Sequence, residues 1–305
     1  MFKHVDYLQF QARPEKPDAF FAAKLQELIG GQYGEMTVMM QYLWQGWSCR
    51  VPGKYKDMIM DIATEEIGHV EMLTTMLARL LEAGPNETTE KAAAANPVLA
   101  AVLGGQNPQH AIVAGGGPMP TNSQGVPWNG GYIVASGNLL ADFRSNVAAE
   151  AQSRLQTSRI YNMTDDTGVK DMLQFNLARD TYHQQQWLLG IEQLLDDGFI
   201  DAPIENSNMA EEKAEQRRTF YSFDPESTAG EGRWANGHSL LGEELVYVPD
   251  AQPLTDDKPI GPAPDPKLFV TYAGDMGKGT PGTAGGAYAS GMKNVAKKVK
   301  DALDG

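Results

Sequence analysis

The chain has 305 residues, 42% hydrophobic and 21% charged, an ordinary balance for a globular protein with enough length to bury a core. Its net charge of −14 argues against nucleic acid and anionic membrane as partners. The single cysteine, Cys49, leaves no internal disulfide framework, no basic-then-apolar leader opens the sequence, and no stretch nears the roughly 18 unbroken apolar residues of a membrane span. A cytoplasmic protein is expected.

Residues 1–18 are polar and proline-containing and read as an N-terminal arm. From Ala19 to Trp47, Leu25, Leu28, Met36, Met39, Met40 and Leu43 recur near the helical period. Gly30, Gly31 and Gly34 interrupt this pattern, each costing a helix about 1 kcal/mol relative to alanine. They imply a closely packed backbone neighbour or a local distortion. Glu35 lies among the apolar residues, and a carboxylate on a buried face needs a partner. After Pro52-Gly53 a second helix is expected over 54–82, carrying Glu66 and His69. Residues 84–131 are too long for a turn and read as a crossover holding one or two short helices.

A third helix is expected over 132–163, carrying Glu150. Thr164-Asp165-Asp166-Thr167 then supplies capping oxygens and acids suited to the positive end of a helix dipole. The fourth helix runs to Leu195 with Asp180 and His183. Residues 19–196 therefore form one four-helix unit. Nine of the 18 prolines lie beyond Asp196, so 197–305 reads as an irregular C-terminal extension. One short strand is expected over 244–248 and one amphipathic helix over 291–303. Phe220, Tyr221, Phe223, Trp234, Tyr247, Phe269 and Tyr272 make the extension too aromatic for disorder and suited to packing on neighbouring subunits.

Glu66 and His69 stand three apart, about 60° around a helix, where a carboxylate and an imidazole can grip one ion. Alone the pair is a weak signal. The halves of the helical region repeat it: 34 residues separate Glu35 from His69 and 33 separate Glu150 from His183, with Asp180 standing where the first half has Glu66. Each αα-hairpin thus offers one carboxylate from its first helix and an acid-x-x-His from its second. This points to an all-α core, a ferritin-like four-helix bundle with a long crossover between its second and third helices, holding a carboxylate-bridged pair of metal ions. Two nearby cations repel, so carboxylates must lie between and around them, and one neutral imidazole per ion limits the negative charge.

The sequence closely resembles the non-haem manganese catalases. The likeness is carried by Met1-Phe2-Lys3-His4, Gly30-Gly31-Gln32-Tyr33-Gly34-Glu35-Met36, Thr64-Glu65-Glu66-Ile67-Gly68-His69-Val70-Glu71, Trp128-Asn129-Gly130-Gly131-Tyr132 and Arg159-Ile160-Tyr161-Asn162-Met163-Thr164, and thins beyond about residue 200. The resemblance implies disproportionation of hydrogen peroxide by a manganese pair cycling between Mn(II)₂ and Mn(III)₂, with no haem. It assigns Glu35, Glu66 and His69 to one ion, Glu150 and His183 to the other, and the bridge to Glu66. It makes Tyr42, two turns after Glu35, an outer hydrogen-bond partner, the alternative being a core tyrosine. It implies a homohexamer. Some members have arginine before the third-helix glutamate and glutamate three before the last histidine. Ala149 and Asp180 stand there instead, so Asp180 is read as lying outside the ligand set. Asp57 and Asp61 match, poorly, a structural calcium site of some members, completed by a C-terminal segment near Ser222, and surface acids are the preferred reading. A di-iron oxidase or ferroxidase and a non-catalytic coat-like protein are the competing functions.

Overall fold

The computed structural model describes residues 7–51, 53–82, 96, 98, 107–199, 213–239 and 242–252. The chain divides into two compact units, Met1–Met209 and Ala210–Gly305.

In the first unit the elements formed by described residues include the helices α1 (Ala19–Leu25), α2 (Glu27–Gly30), α3 (Glu35–Ser48), α4 (Lys54–Leu81), α5 (Pro108–Ile112), α6 (Leu139–Tyr161) and α7 (Thr167–Asp196). The expected first helix is three pieces, and the glycines account for it. A Cβ on Gly30 would lie 2.4 Å from the Thr121 carbonyl carbon, so the crossover backbone presses directly on α2. A Cβ on Gly34 would lie 2.8 Å from the Ile29 oxygen, so the chain folds tightly back before α3. Both explanations offered for these glycines, close packing and distortion, therefore apply. The third helix starts at Leu139 rather than at Tyr132. Gly137 adopts a φ of 81°, and the Asn138 side chain accepts from the Ala141 amide, which fixes the start of α6. Asp166 caps α7 by accepting from the Val169 amide at 2.9 Å, as the acidic cluster before it foretold.

α3 pairs with α4 and α6 with α7, and these two hairpins make the four-helix bundle. Two apolar clusters fill it. One joins Leu28, Met72, Met76, Val169 and Leu173; the other joins Val38, Ile59, Ile62, Phe143 and Trp187. Along α4 the first begins at Met72 and the second ends at Ala63, so Glu66 and His69 lie between two apolar plugs. Along α7, Asn176, Asp180 and His183 occupy the same gap. Water is shut out from both ends, and polar groups in the gap must satisfy one another or bind something.

Two further features tie down the bundle. The crossover is anchored by the Trp128 indole donating to Thr37 Oγ1 (2.9 Å) and by the Gln26 amide donating to the Thr121 carbonyl (2.9 Å). The arm lies across α4 and α7: Gln9 donates to Glu65 (2.8 Å), Gln11 to Asp171 (3.0 Å), and Phe10 stacks on Phe175 at 4.6 Å. No helix among the described residues is long and apolar enough to cross a membrane.

In the second unit, helix α8 (Ala214–Arg217) leads into β1 (Thr219–Tyr221), which pairs in parallel with β2 (Val246–Val248), Phe220 opposite Tyr247. The strand expected over 244–248 is present, but its partner carries no alternating pattern and was not foreseen, so the extension is less irregular than its prolines imply. Arg217 grips Glu243 through Nε and Nη2, Nη2 to Oε1 at 2.6 Å. Phe223 and Trp234 are exposed. The helix expected over 291–303 and the aromatics Phe269 and Tyr272 lie outside the described residues.

Candidate metal centre

Glu35 comes from the first turn of α3, Glu66 and His69 from the middle of α4, Glu150 from α6, and Asp180 and His183 from α7. All six are at most 1% exposed. The five residues assigned as metal ligands thus converge in one pocket, as their spacing requires. Glu66 is at its centre: Oε2 lies 2.7 Å from His69 Nδ1 and Oε1 lies 2.6 Å from His183 Nδ1. Glu35 Oε2 approaches His69 Nδ1 to 3.7 Å, and Glu150 Oε1 approaches His183 Nδ1 to 3.9 Å. The imidazole rings stack at 5.6 Å. Three overlapping donor groups result: Glu66–His69–His183, Glu35–His69–Asp180 and Glu150–Asp180–His183, each with its atoms within 4.8 Å of one another.

Asp180 sits closer in than its short side chain implies, because it belongs to two of these groups. Its Oδ1 is 4.0 Å from His69 Nδ1. Its carboxylate also accepts from Asn176 Nδ2 (3.1 Å to each oxygen) and from Ser153 Oγ (3.4 Å). Tyr42 is fully buried and donates its hydroxyl to Glu150 Oε1 at 2.7 Å. Asn176 donates to Glu35 Oε1 at 2.9 Å. Ala149 packs in the apolar cluster. Asp57 and Asp61 are both exposed on α4 and belong to none of the converging donor groups among the described residues.

The electrostatics are those of crowded acids in a dry pocket. Burial, then the charge of Glu66, pushes Glu35 up to about 7 and Glu150 up to about 8. Burial and the Glu35 and Glu150 carboxylates push Asp180 well above its ordinary value. Burial works against a charge on His183, but Glu66 and Glu65 outweigh it and raise the ring to about 10. His69 is raised in the same way, chiefly by Glu66. Burial also opposes ionisation of Glu66, but the two histidines overcome it and hold its carboxyl below the usual range.

The residues present fit a metal pair. Glu66 Oε1 and both ring nitrogens of His183 are buried without an aligned hydrogen bond, as is His69 Nε2. Carboxylate and imidazole donors suit divalent first-row ions. Sequence spacing did not single out Asn176, Ser153 or Glu65. Glu65 lies 3.2 Å from His183 Nε2 and 3.7 Å from His69 Nε2, and is gripped by Arg179. The signal available was the repeat itself, since Glu65 and Arg179 each immediately precede the acid of an acid-x-x-His.

The profile of the family described as manganese-containing catalase matches residues 1–282. The chain belongs to the manganese catalase family. Among similar manganese catalases, one from Bacillus subtilis is 52% identical over 266 residues, covering 87% of this chain and 96% of that protein. Another from Lactiplantibacillus plantarum is 40% identical over 268 residues, covering 88% and 98%. The crystal structure of KatB, a manganese catalase from Anabaena, matches with a TM-score of 0.62 at 26% identity, covering 82% of this chain and all of that one. Manganese is therefore the cofactor that membership brings, in preference to the iron of the competing oxidase reading.

Proposed function

We propose that the protein is a dinuclear manganese catalase in which Glu35, Glu66 and His69 hold one ion, Glu150 and His183 hold the other, and Glu66 bridges them. The enzyme converts two hydrogen peroxides into two waters and one dioxygen. The observation that carries the ligand assignment is the position of Glu66, with one carboxylate oxygen against each imidazole. Charge supports bound cations: the three ligand carboxylates Glu35, Glu66 and Glu150 bring negative charge into a buried pocket, which divalent ions offset.

When bound, the manganese pair supplies a reversible two-electron couple, so that peroxide is alternately reduced and oxidised without a free radical. The chain's own groups do the rest. Tyr42 holds Glu150 Oε1 and fixes its ligand geometry. Asn176 does the same for Glu35. Asp180 stays outside the ligand set, held by Asn176 and Ser153, and is the acid positioned to hold a proton at its carboxylate between the two half-reactions. The apolar plugs on either side keep bulk water from the pocket.

The C-terminal extension is assigned to packing on neighbouring subunits of a homohexamer, a reading its exposed Phe223 and Trp234 support. The free thiol of Cys49 and the lack of any disulfide in the chain favour the cytoplasm. A calcium at Asp57 and Asp61 stands against two solvated surface acids. Elemental analysis with an oxygen electrode tests the whole reading. Two manganese ions per chain, with dioxygen release that needs no haem and is lost in Glu66→Ala and His69→Ala, support it. Iron in their place, or fully loaded protein without activity, overturns it. Calcium retained through dialysis, and lost in Asp57→Asn, decides for the calcium site, and sedimentation decides the hexamer.

A further inference from the structure

We propose that Glu65, clamped by Arg179, is the positioning residue for both imidazoles of the centre: one carboxylate receives the Nε2 proton of His69 on one oxygen and that of His183 on the other. The inference rests on the dinuclear reading and deepens it. Both rings turn Nδ1 inward, 2.7 and 2.6 Å from the oxygens of Glu66. A neutral imidazole that binds a cation through Nδ1 carries its proton on Nε2, and a buried N–H needs an acceptor. Both Nε2 atoms are buried without an aligned bond, and the carboxylate facing them is Glu65, with Oε1 3.7 Å from His69 and Oε2 3.2 Å from His183. Glu35, Glu66, Glu150 and Asp180 instead approach the rings through Nδ1.

The far side of the same carboxylate is fixed by protein. Arg179 Nε donates to Oε1 at 2.6 Å and Arg179 Nη2 to Oε2 at 3.1 Å, and the Gln9 amide adds a third bond to Oε1 at 2.8 Å. A planar guanidinium bound through two nitrogens sets the plane of its partner, which a lone ammonium does not. It also neutralises Glu65, so the clamp orients the rings without adding net charge to an already anionic pocket. The repeat explains how one acid serves both rings. Position 65 precedes Glu66 and position 179 precedes Asp180, so the duplicated sites meet across the interface of α4 and α7 with opposite charges. An acceptor behind each ring fixes its tautomer and raises its donor strength toward the ion.

The test uses the full chain with Glu65→Gln, Arg179→Gln and Arg179→Lys, following Mn(II) affinity by equilibrium dialysis with elemental analysis and, separately, the melting temperature of the metal-free protein. Glutamine at 65 keeps the shape but turns an N–H toward one ring. Affinity should fall about 10- to 100-fold in Glu65→Gln, less in Arg179→Gln, and least in Arg179→Lys, which restores the charge. A bridge that only joins two helices would lower the metal-free melting temperature and leave affinity alone. Glu65→Gln that folds and binds manganese within about twofold of the unaltered protein overturns the proposal. If Glu65→Gln does not fold, the arginine pair decides: unaltered affinity in Arg179→Gln overturns it, and a loss that lysine partly restores supports it. Unaltered protein that takes up no manganese would instead sink the dinuclear reading, before any variant is compared.

Discussion

The two hairpins of the bundle carry the same motif and use it differently. In the first, Glu66 reaches both imidazoles with separate oxygens. In the second, Asp180 occupies the matching position, and its carboxylate is engaged by Asn176 and Ser153. One methylene separates the two side chains. The longer one spans the space between the rings, and the shorter one comes no nearer than 4.0 Å to His69 Nδ1. The outer partners differ as well. Tyr42, seven residues after Glu35, donates to Glu150 on the opposite hairpin. Seven residues after Glu150 stands Thr157, equally buried and making no such bond. A duplicated frame can thus set where groups converge while single side chains decide which of them bridge.

The strongest way to break this comparison is at Glu66. Glu66→Gln should abolish oxygen evolution and strip manganese, while Asp180→Asn should keep its metal and lose activity by about 10- to 100-fold. Elemental analysis beside an oxygen electrode reads both, and equal metal loss in the two variants would make the hairpins equivalent. Next comes pH, where Glu35 and Glu150 should behave alike. Metal-free, they are raised from 4.5 to about 7 and about 8, so the stability they contribute is complete below pH 4.5 and is lost as pH rises through 8. His183, raised from 6.5 to about 10, extends the loss in the same direction. The melting temperature of metal-free protein should therefore fall over that window, and the gain on adding Mn(II) should grow. A flat profile would mean the carboxyls ionise freely, and a rise would mean they are held below their ordinary range.

A smaller effect belongs to Tyr42. Tyr42→Phe removes the hydroxyl that holds Glu150 and should cut activity about tenfold, with the metal content showing how much of that is lost ligation. At the matching position Thr157→Val should change folding stability by less than about 1 kcal/mol and leave turnover unaltered, because no bond is broken. Calorimetry and steady-state kinetics on the pair measure how unequal the two positions are.

The convergence of Glu35, Glu66, His69, Glu150 and His183 was legible because helical periodicity fixes which side chains share a face, and two nearly equal spacings, 34 and 33 residues, fix the level along the bundle. The same rule put Tyr42 on the face of Glu35, while its hydrogen bond to the centre was implied by the family resemblance. Asp180 was legible as a position but not as a contact, since one methylene decides its reach only once the distance between α7 and the rings is known. Glu65, Arg179 and Gln9 were not legible, because they meet across α4, α7 and the arm, and that meeting depends on packing angles no local pattern encodes. The break after Gly30 was visible as a cost, but its cause lies in Thr121, ninety-one residues away. The β1 strand was hidden because three residues are too few to alternate.

The arm has a practical consequence. Gln9 closes the outermost hydrogen bond behind the histidines, and Gly68 leaves room for it, since a Cβ there would lie 3.3 Å from the Gln9 oxygen. A chain clipped back to Pro17 would keep its helices but uncover Phe175 and loosen the wall behind the rings. Purification handles are therefore better fused at the far terminus, and proteolysis near residue 10 should be checked before a weakly metallated batch is blamed on the growth medium.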